Sequence, residues 1–361
     1  MTSAARGLAP TTMNRIALFL PNWIGDVVMA TPAIRSVRER FPQAHLVAIC
    51  KPYVAAVLGG SPWFNEIILH DKRGSWKQRG VSVIGKLRRE RVDAAVLFTN
   101  SFRTALITWL GSCKKRIGFA RYGRSPLLTD RLQAIKDENG RYKPTPIIDD
   151  YNRLVKPLGI DDPGYRMELF TTLADEITAN SVWSEYHLDR APEVIGLNSG
   201  GAFGAAKHWP IEHFAKLARE FVDRRGSAVL VLCGPNERDI ARQIVQQADR
   251  PSVVSLADRN VSLGLTKACV RRLDLMVTTD SGPRHFAAAF DRPVVSLFGP
   301  TFIEWTETYF AKAINLQKKV PCGPCQQRTC PFDHRCMRDL SVADVFDASQ
   351  QLLSRGLRHA G

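Results

Sequence analysis

Residues 273–301, LDLMVTTDSGPRHFAAAFDRPVVSLFGPT, restrict the fold more than any other stretch of this chain. Residues 275–278 are a short apolar, β-branched run suited to a buried strand, and Asp280, Ser281 and Gly282 interrupt it. Pro283 then opens a helix where a missing N–H costs no hydrogen bond. The helix runs to about Phe290, and residues 293–298 form a second strand that Gly299 and Pro300 end. Strands joined through a helical crossover are parallel neighbours, so the sequence predicts an α/β fold built on parallel sheet.

The turn between strand and helix is also where chemistry is expected. N–H groups at Ser281, Gly282 and the helix start lack intrahelical acceptors and carry the positive end of the helix dipole, which suits a phosphate. Gly282 lets the backbone approach a ligand closely, Ser281 adds a hydroxyl, and His285 lies one turn into the helix. The competing reading is that Asp280 and Ser281 only cap the helix, and the turn alone does not decide between the two.

With 361 residues the chain has room for two domains of about 150–200 residues each. A first strand at residues 15–20 leads through Gly25 and Asp26 into a helical pattern over residues 27–40 that contains Pro32. That proline either marks the true first turn or kinks the helix. Asp26 thus stands in the crossing from strand to helix, where it either caps the helix or serves as a catalytic carboxylate at the mouth of a sheet. Further strands are predicted at residues 45–50, 66–69, 94–98 and 115–118 with helices between them. Residues 119–147 have no clear period and read as loops that shape a binding surface, and residues 149–158 look helical. The pattern blurs over residues 171–192, which places a linker there between a first domain (1–170) and a second (193–341). Residues 342–361 are then a closing helix, expected to pack back across the junction.

The second domain starts with a strand at residues 194–197 that enters a glycine-rich loop with Ser199, Gly200 and Gly201, followed by Lys207. Such a loop before a helix suits an anion, with Lys207 as a mobile charge able to reach a phosphate oxygen. Its spacing is not that of a P-loop. A strand at residues 228–232 leads to Glu237, which either takes a ribose hydroxyl or is an acid favoured at a helix start.

The net charge of +15 is uneven: residues 72–143 hold 18 Lys or Arg against 5 Asp or Glu, an excess of 13. A surface of that kind attracts polyanions, whether nucleic acid, an anionic membrane or a phosphorylated substrate. Lys114, Lys115, Arg116 and Arg121 are its candidate contacts. No run approaches the roughly 18 apolar residues of a membrane span, and the first residues lack the apolar core of a signal peptide, which predicts a cytoplasmic protein. Of eight cysteines, Cys322, Cys325, Cys330 and Cys336 are spaced C-x2-C-x4-C-x5-C with His334 inside. In a cytoplasmic chain this permits structural zinc or reduced thiols that pack the segment.

Taken together, PNWIGDVVMATPAIRSVRERFP (21–42), NSGGAFGAAKHWPIEHFAKLA (198–218), TTDSGPRHFAAAFDRPVVSLFGPT (278–301) and the cysteine segment resemble glycosyltransferase family 9, the ADP-heptose:lipopolysaccharide heptosyltransferases, most closely the heptosyltransferase II branch. The resemblance implies a GT-B architecture, two Rossmann-like domains facing across a cleft, with acceptor on the first and nucleotide sugar on the second. It implies Asp26 as the catalytic carboxylate, Lys207 beside the donor phosphates, Asp280, Ser281, Gly282 and His285 at the diphosphate, and Glu237 at the ribose, with Ser199, Gly200 and Gly201 on the donor loop. Gly25 and the basic residues fall to the acceptor side, and no cofactor is needed for the chemistry. The implied partners are ADP-heptose, an anionic lipopolysaccharide precursor and the cytoplasmic face of the inner membrane. Pro283 and Arg284 depart from the family pattern, as do Ser199 and Gly200. A nucleic-acid binder is the rival that the charge suggests, but the basic segment lacks interleaved aromatics. An NAD-dependent enzyme is disfavoured because neither first strand leads into G-x-G-x-x-G.

Overall fold

The computed structural model describes residues 13–357 apart from 72, 76–77, 137, 141–142 and 202–203, so Ala202 and Phe203 of the glycine-rich loop lie outside the described residues. Six strands form the first sheet: β1 (Arg15–Phe19), β2 (His45–Cys50), β3 (Glu66–Leu69), β4 (Ala94–Leu97), β5 (Lys115–Phe119) and β6 (Asp130–Leu132). Six more form the second: β7 (Val194–Asn198), β8 (Ala228–Leu232), β9 (Val253–Ser255), β10 (Leu275–Thr279), β11 (Val294–Phe298) and β12 (Ala313–Gln317).

The strand orders, β3-β2-β1-β4-β5-β6 and β12-β11-β10-β7-β8-β9, are one topology used twice. Every pairing is parallel; Leu18 lies between Ala48 and Val96, and Leu197 between Val231 and Val277. Strands covered on both faces by helices read as unbroken apolar runs, and β1, β4, β8 and β10 do so because nearly all their residues are buried. In such sheets the chain reverses direction between β1 and β4 and between β7 and β10, and the crevice at the carboxyl ends there is where ligands bind.

Two of the four edge strands, β6 and β12, lie in segments the sequence left without a strand. They are three and five residues long and at most half-buried, so neither carries the apolar run that marks a central strand. The helical pattern after β1 is two helices, Ile24–Met29 and Thr31–Arg40, parted at Ala30, and Pro32 sits in the first turn of the second. The junction contains the helix Leu173–Glu185, whose Thr172 and Asp175 form a reciprocal cap. One correction concerns the closing helix. Val342–Leu357 packs on the helix Ile211–Arg225 and on β10–β12, all in the second domain, with Phe346 against Phe221, and so it completes that sheet's cover rather than crossing the junction.

Candidate active site

A cavity of about 540 Å³ lies between the two domains where both sheets reverse direction. Asp26 reaches it from the helix Ile24–Met29, and Lys207, Glu237, Asp280, Ser281, Gly282 and His285 reach it from the second domain. The residues assigned to a base and to an anion cradle therefore meet in one space.

Asp26 does not cap its helix. Trp23 holds the N-cap position, and Asp26 stands in the first turn with its carboxyl turned to the cavity. Burial pushes its pKa up to about 6, opposed by a hydrogen bond from the Tyr151 hydroxyl. A carboxylate poised near neutrality suits proton abstraction better than one near 4.

The anion turn is held from behind. Asn198, the last residue of β7, donates through Nδ2 to Gly200 O at 3.3 Å and to Thr278 Oγ1 and Ser281 Oγ at 3.0 Å each, which ties the glycine-rich loop to the turn after β10. Thr279 Oγ1 adds a bond to Gly200 O at 2.8 Å. Lys207 is not mobile: it is buried, and its Nζ donates to Asp280 O at 2.9 Å and to the Asp280 carboxylate. Asp280 also accepts from Thr301 Oγ1 at 2.7 Å, and Arg284 lies 3.9 Å away; these cations keep its carboxyl below its usual range despite burial. Arg284 points inward, over the Phe298 ring at 4.9 Å, and donates to Thr306 O. His285 accepts at Nε2 from Arg284 Nε at 3.2 Å and is held well below its usual pKa, first by burial and then by Arg284 and Lys207. Burial thus leaves it a neutral imidazole, and the Arg284 and Lys207 charges that add to that effect favour an anion nearby.

Two glycines set the contact between the domains. A Cβ on Gly25 would stand 2.8 Å from His285 Cδ2, and one on Gly282 would stand 3.1 Å from Ile24 Cβ and 3.2 Å from Gly25 N. At Gly200 the carboxyl of Glu237 occupies the space a side chain would take, so a larger residue there would displace Glu237. Glu237 Oε2 accepts from Gly234 N at 2.7 Å, so the acid is fixed in the cavity wall while it precedes its helix. Ser199 is a correction. It is buried and outside the lining, because Asn198 and Gly200 turn to the cavity and the residue between them turns away.

The basic residues need a second correction. Lys114, Lys115 and Arg116 lie at the amino end of β5, opposite the cavity, and their roles are internal. Lys114 pairs with Asp93 at 2.7 Å, Lys115 reaches Pro157 O at 3.4 Å, and Arg116 holds Leu127 O and Cys113 O at 2.7 and 2.6 Å. Arg121 follows the carboxyl end of β5, beside Phe119 and in the field of Asp150, at the end of the strand away from Lys115 and Arg116. A second cavity, of about 600 Å³, lies at the carboxyl ends of β1–β4 and is lined by Lys51, His70, Arg73 and Arg103. Among the described residues Lys51, Arg73 and Arg103 have no carboxylate partner within ion-pair distance. Each cation follows a strand by a few residues, a signal hidden by the denser run at residues 114–116.

The cysteine segment braces the Lys207 loop. Ala206 N donates to Arg328 O at 3.1 Å, His334 Nε2 donates to Ala206 O at 2.8 Å, and Gly204 is pressed against Arg328. The zinc expectation does not fit this arrangement: among the described residues no three His, Cys, Asp or Glu side chains are placed to hold a metal. Cys322 and Cys325 are exposed, while Cys336 is buried beside Gly299. Sequence reasoning also missed Tyr151, Asn198 and the stretch from Val261 to Thr266, which lines the cavity from the loop after β9. Ser262 there caps the helix Leu263–Val270, a signal readable in advance.

Two Rossmann-like domains closing on a carboxylate and an anion cradle define a group-transfer enzyme of GT-B architecture. The chain belongs to glycosyltransferase family 9 (heptosyltransferase), whose family model matches residues 81–335. It is 27% identical over 347 residues to lipooligosaccharide heptosyltransferase 2 of Campylobacter jejuni, covering 94% of this chain and 98% of that one. It is 28% identical over 358 residues to lipopolysaccharide heptosyltransferase 2 of Salmonella typhimurium, covering 94% and 99%. Its fold is that of a family 9 glycosyltransferase from Veillonella parvula (TM-score 0.79, 23% identity, 96% and 99% covered) and of E. coli ADP-heptose lps heptosyltransferase II (TM-score 0.73, 24% identity, 95% and 99% covered). No helix among the described residues is long and apolar enough to cross a membrane.

Proposed function

We propose that this glycosyltransferase moves a heptose from ADP-heptose to the heptose-bearing Kdo–lipid A core of a lipopolysaccharide precursor, with inversion at the anomeric carbon. The observation that carries the reading is the shared cavity, which places Asp26 opposite Lys207 and the Ser281–Gly282 turn. Apolar Leu232, Pro235, Val261 and Leu263 offer a wall for the base, with Glu237 at the ribose. The relatives named lipopolysaccharide heptosyltransferase 2 support a heptose and a lipopolysaccharide acceptor, and the name of the E. coli ADP-heptose lps heptosyltransferase II adds the nucleotide.

A sugar hydroxyl is a poor nucleophile. Asp26 takes its proton as the oxygen attacks the anomeric carbon from the face opposite the diphosphate, and one displacement inverts the configuration. The bond to the diphosphate breaks as the new bond forms. Lys207 and the N–H groups of Ser281 and Gly282 receive the charge that develops on the leaving group, in place of a metal. Because Lys207 is already fixed by Asp280, little reorganisation is needed at that moment.

The second cavity, with Lys51, Arg73 and Arg103, suits an anionic acceptor. Exposed Tyr53, Trp23, Phe102 and Tyr122 follow β2, β1, β4 and β5 along the same rim. Phe102 and Tyr122 lie within the basic segment, which corrects the reading that it lacks interleaved aromatics. Aromatics among basic residues on a rim suit a headgroup layer, which supports docking at the cytoplasmic face of the inner membrane. Thermal-shift measurements with ADP, UDP, GDP and CDP test the donor: selective stabilisation by ADP is expected, and a preference for UDP would refute it. The anomeric coupling of the product in NMR tests inversion.

A further inference from the structure

We propose that Tyr151 and Tyr309 are positioning residues for the Asp26 carboxylate, acting from opposite sides of the helix Ile147–Arg153, so that the donor domain takes part in setting the base. The inference rests on the assignment of Asp26 as base. Tyr151 is buried, its ring meets Phe98 edge-on at 5.5 Å, and its hydroxyl donates to Asp26. With the ring packed in place, the hydroxyl is presented to the carboxylate from one side.

Two residues earlier, Asp149 Oδ2 accepts from Tyr309 Oη at 2.9 Å. Tyr309 belongs to the second domain, between β11 and β12. Its backbone is left-handed at φ 58°, costly for a residue with a side chain, and its N–H is held by Glu307 Oε1 at 2.7 Å. Its ring packs edge-on against Tyr165 at 4.5 Å. The hydroxyl is therefore delivered from a shaped loop. Residues two apart on a helix point about 200° apart, so Asp149 faces the donor domain while Tyr151 faces the base. At seven residues the helix is a stiff two-turn unit that lies against the helix Ile24–Met29 bearing Asp26. On the donor side, Thr306 lines the main cavity, and its carbonyl accepts from Arg284, next to the anion turn.

The ionisable groups that share the space with Asp26 are Lys207, Cys233, Glu237, Asp280 and His285 from the second domain, Cys233 being a thiol that burial pushes up to about 11. Asp280 is compensated by Lys207 and Arg284, His285 is neutral, and Asp150, beside Tyr151, is paired with Arg153 at 3.1 Å. Tyr151 is thus the partner whose removal acts on Asp26 directly.

The test is a double-mutant cycle on the full chain, read through pH profiles of kcat/KM. Tyr151→Phe removes one oxygen that favours the ionised carboxylate, so the acid limb should move to higher pH by about one unit. Limb position does not depend on the amount of folded enzyme, which separates positioning from stability. Tyr309→Phe should lower kcat about tenfold while the ADP-induced melting shift stays as in wild type, and the double variant should lose no more than the worse single one. An unmoved acid limb in Tyr151→Phe overturns the proposal, as do single losses that multiply in the double variant. If Asp26→Asn keeps wild-type turnover, the base assignment itself fails; if it is inactive and the limb in Tyr151→Phe is unmoved, only the positioning claim fails.

Discussion

Replacing Gly25 with alanine should cost activity without costing stability, because the two effects of one methyl fall on different states of the enzyme. Inside the helix Ile24–Met29, alanine is favoured over glycine by about 1 kcal/mol. At the domain contact, the new Cβ would lie 2.8 Å from His285 Cδ2 and 3.4 Å from Gly282 Cα, where carbon atoms prefer about 3.5–4.0 Å. His285 cannot swing aside, since it is buried and bonded to Arg284 at 3.2 Å, and Gly282 presents backbone. Relief comes from parting the domains. Overpacking of this kind costs about 1–3 kcal/mol, charged to the closed arrangement alone, which is about a 5- to 150-fold drop in its population relative to an open one. A transfer assay should show kcat/KM reduced within that range while Tm is equal to or above wild type. A variant within twofold of wild type in kcat/KM would refute the claim that this contact belongs to the working state; a lowered Tm would refute the partition between states.

Other consequences follow from the same geometry. Asp26→Asn should lower kcat by about 10²–10⁴ and leave ADP binding intact, measured by transfer and by thermal shift. In the wild type, kcat/KM should climb with pH through about 6, where the carboxyl loses its proton, and then level off. Since the folded pKa lies above the unfolded one, the folded state holds the extra proton between about 4 and 6, and this group's share of stability falls as pH rises through that window. Asp26→Asn should therefore stabilise the fold at neutral pH by about 1–3 kcal/mol, and a destabilised variant in urea melts would contradict the burial argument. Arg103→Glu should weaken use of an anionic acceptor at least tenfold, more at low salt, whereas Lys114→Glu should stay within twofold; the reverse order in steady-state kinetics would return the acceptor to the amino end of β5. Cys322→Ser and Cys325→Ser should shift Tm by less than about 2 °C, as exposed thiols do, and stoichiometric zinc in atomic emission would overturn that.

The doubly wound plan was legible because central parallel strands cannot disguise themselves: residues buried on both faces must be apolar, and the turns after them need Gly, Asp or Ser. The turn at Asp280–Gly282, the loop at Gly200–Gly201 and Asp26 all stand just past such strands, and the structure brings all of them to one cavity. What stayed hidden depends on distance in space. Tyr151 sits in a helix that the sequence marks only as helical, and its partner Asp26 belongs to a different crossover. Lys114, Lys115 and Arg116 misled for the converse reason. Charge density along the chain says nothing about which end of a strand a residue occupies, and a single strand length separates the cavity rim from the opposite edge of the sheet.

Burial supplies the criterion that charge density lacks. A buried ion costs several kcal/mol unless its surroundings return that energy, and the buried cations here are met by hydrogen-bond acceptors that return part of it. Lys267 gives its three protons to Val57 O, Gly59 O and Phe170 O at 3.0, 2.9 and 2.7 Å, joining the first domain and the junction to the helix behind the cavity. Even so, burial brings its pKa down to about 8. Arg124 spends its guanidinium on Phe119 O, Thr99 O and Asn100 Oδ1, and Lys207 is met by Asp280. Lys267 and Arg124 hold loops and domains in register, whereas Lys207 faces the main cavity. Asp26 is different, since it has one hydrogen-bond donor set against its desolvation and keeps a proton affinity close to that needed for chemistry. Lys51, Arg73 and Arg103 are a different case: they line the second cavity together with Asp71 and His70, Arg73 and Arg103 in contact with solvent, and three cations against one carboxylate leave that cavity with an excess of positive charge. A folded chain gains nothing by burying the Asp26 carboxyl with so little to offset it, and a substrate hydroxyl that supplies the proton accounts for it, while the excess positive charge of the second cavity suits an anion.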